Sequence, residues 1–154
     1  MEKVRATPEN SFKLLPSYME MLKKKNLGNR TFHEVDNTNN FKYFFITIGG
    51  CIHGFISSIR PVIAIDGTFL KGKFKRTLFI ATTLDSNNQF YHFAFGVGDS
   101  ENDASWGWFQ MKLKAAIEEV PNFVFISDRH PSIKKNVNIT FPDTVYGICT
   151  HHLK

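Results

Sequence analysis

Two apolar runs that each end in an aspartate constrain the fold of this chain more than any other feature. Residues 62–65 are followed directly by Asp66, and residues 123–127 by Asp128. Short, nearly continuous apolar runs are typical of strands that are buried on both faces of a sheet. The sequence therefore predicts two interior strands, each with a carboxylate at its carboxyl end.

Other periodic segments complete a mixed α/β pattern. Aromatic and β-branched segments bounded by turn residues predict strands, and apolar residues at three- and four-residue spacing predict helices. After a strand at 41–48, we predict strands at 61–68, 77–84 and 90–97, a helix at 104–120, a strand at 123–127, a helix at 131–141 and a strand at 144–149. From residue 61 the order β-β-β-α-β-α-β is that of the ribonuclease-H-like fold, an α/β fold with a mixed sheet. In that fold the first and fourth strands are neighbours in the middle of the sheet.

Length and composition exclude several classes of protein. The chain has 154 residues, 42% of them hydrophobic, which suffices for a domain with its own core. The polar first residues are unlike a secretory signal, and two cysteines are too few for a disulfide framework. No apolar run approaches the ~20 residues of a membrane span. The formal net charge of +5 is compatible with nucleic acid as a partner, and equally with a merely solvated basic surface.

The first 40 residues differ from the rest of the chain. They contain a short predicted helix at 17–26, with Pro16 near its start and Gly28 as its stop, and a polar turn at 36–40. We therefore predict an N-terminal lead-in segment at 1–40 and a main domain at 41–154.

Asp66 and Asp128 are the residues most suited to chemistry. If their strands are parallel neighbours, both carboxylates project at the same end of the sheet, where ligand sites of open α/β sheets lie. Two nearby carboxylates repel each other, so a proton or a cation is taken up between them. Their hard oxygen ligands select Mg²⁺ or Mn²⁺. Taken singly, each aspartate is better explained as a strand-end turn former; the pair favours the metal site.

Several segments in order resemble the transposase domain of plant Mutator-like elements (MULE). They are IDGTFLKGKF at 65–74, LDSNNQFYHFAF at 84–95, FISDRHPSI at 125–133 and CTHHL at 149–153. The resemblance extends from about residue 14 to the end of the chain. It implies an Asp-Asp-Glu nuclease and strand transferase of the ribonuclease-H-like fold, which acts on DNA with Mg²⁺ or Mn²⁺ in the nucleus. Asp66 matches the first catalytic and metal-binding acid of the family, and Asp128 the second.

One departure from the family concerns the third acid. In the family this glutamate lies downstream of a Cys-x-x-His feature, which Cys149 and His152 match, whereas this sequence stops at Lys154. The sequence is therefore interpreted as a fragment, truncated before the final catalytic helix and inactive alone. The alternatives are a non-catalytic, transposase-derived DNA-binding or transcription regulator, related to proteins of the far-red-impaired response type, and a remnant without a role. The absent helix also suggests an uncovered apolar sheet face and a possible oligomer.

Two charged clusters remain as candidates. The basic residues Lys71, Lys73, Lys75 and Arg76 either form a solvated hairpin or bind DNA phosphates beside Asp66. The acids at positions 99, 101 and 103 precede a predicted helix, whose N-terminus favours negative charge, so a structural role is preferred. Of these, Glu101 is the acid that would replace the missing third carboxylate if the chain cleaved DNA.

Overall fold

The computed structural model describes residues 7–58, 62–117 and 123–150, which form a mixed α/β structure with one seven-stranded sheet and four helices. The elements are α1 (Pro8–Lys25), β1 (Arg30–Val35), β2 (Phe41–Thr47), α2 (Gly49–Ser58), β3 (Val62–Phe69), β4 (Thr77–Leu84), β5 (Phe90–Gly98), α3 (Asp103–Ala116), β6 (Val124–Ser127), α4 (Pro131–Thr140) and β7 (Val145–Ile148). Among the described helices, none is both long and apolar enough to cross a membrane.

The sheet combines an antiparallel part and a parallel part. Its strand order is β1-β2-β5-β4-β3-β6-β7. Every pair from β1 to β3 in that order is antiparallel, whereas β3–β6 and β6–β7 are parallel. Parallel neighbours need a crossover connection, and α3 and α4 occupy the connections before β6 and β7. The predicted adjacency of the strands that precede Asp66 and Asp128 is therefore confirmed.

The main core lies between one face of the sheet and the helices α3 and α4. Phe79 of β4 contacts Trp106 and Phe109 of α3, with ring centroids 4.6 and 5.6 Å apart. All three rings are buried, as are Trp108 and Ile133. Burying each large apolar side chain stabilises the fold by roughly 1.5–3 kcal/mol. The prediction that Trp108 and Phe109 pack in the core is confirmed.

The predicted first helix was wrong in extent. The structure begins α1 at Pro8, and the Thr7 hydroxyl caps it by accepting a hydrogen bond from the backbone N–H of Asn10. Pro16 lies inside the helix rather than near its start. Because proline is normally a helix breaker, the sequence pattern favoured a later start.

Two elements were not predicted, β1 and α2. β1 has little alternation in burial, but it pairs along its length with β2 and so joins the sheet. α2 begins at Gly49, directly after the strand predicted at 41–48. There the backbone N–H of Gly49 donates to the Asn29 side chain at 2.9 Å, and a Cβ at position 49 would overlap the backbone of Gly28. Glycine at position 49 thus permits a close approach to the backbone of Gly28.

The predicted division of the chain into a lead-in segment at 1–40 and a main domain at 41–154 stays a prediction.

Candidate functional site

The pairing of β3 with β6 brings the two predicted catalytic positions side by side. In this parallel pair Val62 is opposite Val124 and Ala64 is opposite Ile126. Continued by two residues, the same register sets Asp66 level with Asp128. Neighbouring strands lie about 4.8 Å apart, so the two aspartates occupy adjacent backbone positions at one end of the parallel strands.

Local hydrogen bonds orient one oxygen of each carboxylate. Oδ1 of Asp66 accepts the backbone N–H of Gly67 at 2.9 Å, and Oδ1 of Asp128 accepts that of His130 at 2.9 Å. The backbone carbonyl of Asp128 accepts hydrogen bonds from the Ser127 and Tyr146 hydroxyls. The turn after β6 is therefore held by β7, which fixes the position from which the Asp128 side chain projects.

A third carboxylate, that of Glu101, lies beside this pair. Glu101 occupies the loop between β5 and α3, and a Cβ on Gly67 would overlap its oxygen Oε1. Partial burial raises the pKa of the Glu101 carboxyl; His130 opposes this effect, and the negative charges of Asp128 and Asp66 add to it. The absence of a side chain at Gly67 thus makes room for the Glu101 carboxyl on the face of β3 that α3 covers, whereas the neighbouring Asp66 side chain projects from the other face.

The acids at positions 99, 101 and 103 have separate roles in the structure. Asp99 accepts a hydrogen bond from the Ser105 hydroxyl at 2.9 Å, which ties the loop to the first turn of α3. Asp103 forms an ion pair with Lys135 of α4. The preferred structural role therefore fits Asp99 and Asp103, whereas Glu101 lies against Gly67, near enough to Asp66 and Asp128 for their charges to act on it. The helix cap itself is Asn102, not Asp103.

The donor set fits a weakly held divalent cation. Asp66 and Asp128 supply the hard oxygen ligands that Mg²⁺ and Mn²⁺ prefer. Within the three described ranges, however, no three His, Cys, Asp or Glu side chains come close enough together to hold a metal ion. An ion bound between the aspartates would keep most of its ligands as water, with Glu101 near it but not completing its shell.

The basic residues after β3 divide into two groups. Lys71, Lys73 and Lys75 are exposed on the loop that joins β3 to β4. Arg76 is half-buried: its guanidinium donates to the carbonyls of Phe41 at 2.9 Å and of Lys42 at 3.4 Å. The three lysines are accessible to a polyanion, whereas Arg76 links the loop to β2.

The remaining candidates lie apart from the aspartates. Cys149 is a half-buried free thiol whose backbone N–H donates to the Ser127 carbonyl at 2.7 Å, and His152 lies outside the described residues. A cavity of about 800 Å³ opens elsewhere, between α1, β1 and the loop after β3; Phe12, Phe41 and Arg76 contribute to its wall, but Asp66 and Asp128 do not.

Comparison with known families places this α/β structure among transposase domains. Residues 62–154 match the family model described as MULE transposase domain. The match covers more than half of the chain, so the chain belongs to the MULE transposase domain family. Membership confirms the resemblance seen in the sequence, indicates a transposase-derived protein and implies interaction with DNA. Among curated proteins, none matches the chain; a relation to far-red-impaired response proteins stays a prediction.

Proposed function

We propose that this protein derives from a metal-dependent DNA transposase of the Asp-Asp-Glu type, with Asp66 and Asp128 as its first two acids. The observation that carries the proposal is the β3–β6 register, because it sets these two aspartates level on parallel neighbours within the region that matches the family. The segment between the two aspartates contains β4, β5, α3 and β6.

The ribonuclease-H-like fold is part of this proposal. Three antiparallel strands, β3, β4 and β5, are followed by α3, and the chain then returns to place β6 beside β3. This order supports the fold that the sequence suggested. In it, Asp128 directly follows β6, and Asp66 lies within β3 just beyond the part that pairs with β6. This is the carboxyl end of the parallel pair, where α/β proteins bind ligands.

The chain would contribute to phosphodiester chemistry mainly by binding and orientation. A bound Mg²⁺ or Mn²⁺ activates water and stabilises the leaving oxygen of a phosphodiester. Asp66 and Asp128 are the residues that would hold such an ion; Oδ1 of each carboxylate also accepts a backbone N–H, that of Gly67 or His130. The lysines of the loop after β3 attract the DNA phosphates to the same end of the sheet. Because the substrate is chromosomal DNA, we expect the protein to act in the nucleus.

A titration with Mn²⁺ tests the aspartate pair. We expect Asp66→Asn and Asp128→Asn each to weaken Mn²⁺ binding by roughly tenfold or more, because each removes one of two carboxylate ligands. Asp143→Asn, at an exposed acid outside the pair, is the matched control and should bind like the wild type. Circular dichroism checks that all variants are folded. Unchanged Mn²⁺ affinity in both site variants would refute the metal site.

A non-catalytic, DNA-binding regulator is the second candidate, and one observation favours it. In the described parts of the chain, a third metal-ligating side chain does not join the two aspartates. A regulator of this kind would bind DNA equally well with and without divalent ions. DNA binding that is insensitive to Mn²⁺ and to Asp66→Asn, together with weak or absent Mn²⁺ binding, would support it.

A further inference from the structure

The segment that follows Asp66 exposes large apolar side chains next to lysines. Residues 68–75 are all exposed, and the side chain of Phe69 is 71% accessible to solvent. Leu70, the next residue, is 39% accessible. Lys71, Lys73 and Lys75 follow in the same loop. Soluble proteins bury most side chains of the size of phenylalanine, so this combination calls for a partner that accepts both apolar and cationic groups.

The base of the loop is anchored, so its tip is presented in a fixed position. The backbone N–H of Leu70 donates to the Arg76 carbonyl at 2.8 Å, which closes the loop. Phe74 packs against Phe12 of α1, with centroids 5.6 Å apart, and the Arg76 guanidinium lies 5.1 Å from the Phe41 ring. These contacts hold Phe74 and Arg76 but leave Phe69 and Leu70 directed away from the core.

The charge of the segment selects the partner. No Asp or Glu occurs between Asp66 and Asp85, whereas four Lys and Arg residues do. A second copy of the chain would bring the same cations together and be repelled, but the phosphates of DNA would be attracted. Phe69 is three residues beyond Asp66 on β3, roughly 10 Å at the rise of an extended strand. Successive side chains alternate between the two faces of a strand, so Phe69 and Asp66 project from opposite faces of β3. A DNA strand bound at Asp66 would meet Phe69 where it passes over the lysine-bearing loop that follows β3.

We propose that Phe69 and Leu70 form a contact surface for unstacked nucleobases of the DNA, next to phosphate contacts made by the three lysines of the loop. This inference rests on the proposed function for the identity of the partner. An aromatic ring stacks on any base, but only where the base face is free, as in a single strand or an opened duplex. The surface would thus favour DNA that is unpaired next to the aspartates.

Phe90 supplies a matched control. It is 73% exposed, almost the same as Phe69, and it begins β5 at the opposite end of the β4 strand that the two hairpins share. The turn before it contains Asp85 and no lysine. Phe69→Ala and Phe90→Ala therefore each remove a phenylalanine ring of about equal exposure. The ring of Phe69 lies beside the lysines, and that of Phe90 lies far from them.

The test measures fluorescence anisotropy of a labelled single-stranded oligonucleotide and of the duplex of the same sequence, in EDTA. We expect tighter binding of the single strand, roughly tenfold weaker binding for Phe69→Ala, as for loss of one base–aromatic stack, and little change for Phe90→Ala or Phe69→Tyr. The salt dependence should be unchanged in Phe69→Ala. Replacing Lys71, Lys73 and Lys75 by alanine should reduce the slope by about 0.7 for each lost contact.

Several results would overturn the inference. If Phe69→Ala and Phe90→Ala weakened DNA binding equally, the end of the sheet that carries Phe69 would have no special role in binding DNA. A variant Phe69→Ala that binds DNA normally but changes from dimer to monomer in sedimentation would assign the surface to a second copy of the chain. Because the assay contains no divalent ion, failure of the metal site would not change its outcome. Asp143→Asn, at an exposed acid outside the aspartate pair, should bind the oligonucleotide like the wild type.

Discussion

The lack of a side chain at Gly67 determines the electrostatic environment of Glu101. Gly67 leaves the space that the Glu101 carboxyl occupies, and the buried Trp106 ring lies against the same glycine, 3.0 Å from where a Cβ would be. The carboxyl is partly withdrawn from water, and the negative charges of Asp128 and Asp66 act on it. An ionised Glu101 is therefore destabilising in the folded protein unless a cation is present.

The pH dependence of stability tests this environment. Burial, with the neighbouring aspartates, raises the Glu101 pKa above its ordinary value of 4.5, so ionisation costs folding free energy above that pH. We expect Glu101→Gln to raise Tm near neutral pH, with a gain that disappears as the pH falls towards about 4. Thermal denaturation across this range measures the effect. Asp143→Asn is the control and should show no such trend; a lower Tm for Glu101→Gln at neutral pH would contradict the assignment.

The aspartates and Glu101 differ in how far the sequence could predict them. Asp66 and Asp128 each end an apolar run, and the parallel pairing that makes them neighbours follows from element order. The position of Glu101 depends on how the loop before α3 packs against Gly67, which no local pattern encodes. For the same reason the sequence grouped Arg76 with the three lysines, although its guanidinium binds the backbone of β2.

At the scale of elements, the loop between β3 and β4 is joined to β2 by Arg76. Its guanidinium donates to two β2 carbonyls and lies over the ring of Phe41. Removing it leaves these carbonyls without their partner. The loop and β2 are separate in sequence, so this contact helps to fix the position of the loop relative to the sheet.

Unfolding in urea distinguishes Arg76 from the lysines beside it. We expect Arg76→Ala to lower the free energy of unfolding by about 1–3 kcal/mol, the range for losing hydrogen bonds from a charged, half-buried group. Lys71→Ala, in the exposed part of the same loop, should change it by less than about 0.5 kcal/mol. If Arg76→Ala were neutral for stability and instead reduced the salt dependence of DNA binding, Arg76 would belong with the DNA-contacting lysines.

The contact between β5 and α3 depends on another glycine. A Cβ on Gly96 would lie 2.6 Å from Cδ2 of the buried Phe109 ring. We expect Gly96→Ala to destabilise the protein by about 1–3 kcal/mol through overpacking. Gly72→Ala, where nothing lies within 4 Å of the added carbon, is the control. Equal stability of the two variants would show that α3 packs less closely on the sheet than described.

β1 and α2 illustrate what local patterns miss. β1 is half exposed and polar, and only its pairing with β2 identifies it as a strand. α2 starts with two glycines, which are poor helix formers, and its start depends on contacts with Asn29 and Gly28. β3 and β6 were predictable because burial gives them nearly continuous apolar runs.

At the scale of the whole molecule, the two faces of the sheet differ. Helices α3 and α4 cover the face that contains Ile63 and Phe79, whose side chains are buried. On the other face, apolar residues such as Ala64, Ile80 and Phe95 are only partly buried. Asp66 lies two residues after Ala64 on β3, so its side chain projects from the same, more open face of the sheet. A large substrate such as DNA has access to this face.

The 154-residue polypeptide by itself should not cleave DNA. Its described residues bring together two carboxylates, and two-metal chemistry needs further ligands to hold both ions in place. We expect no nicking of supercoiled plasmid in Mn²⁺. Nicking that is abolished by Asp128→Asn and by Glu101→Gln, but not by Asp143→Asn, would contradict this and would show Glu101 acting as the third acid.

The central claim is that Asp66 and Asp128 share a divalent ion on adjacent parallel strands. Anomalous diffraction from crystals of the protein grown with Mn²⁺ tests it most directly, because the signal locates the ion without reference to activity. We expect one Mn²⁺ peak within bonding distance, about 2.0–2.3 Å, of oxygens from both aspartates. We expect this peak to be lost in Asp66→Asn. A peak that contacts neither aspartate, or aspartates that point to opposite ends of the sheet, would contradict it.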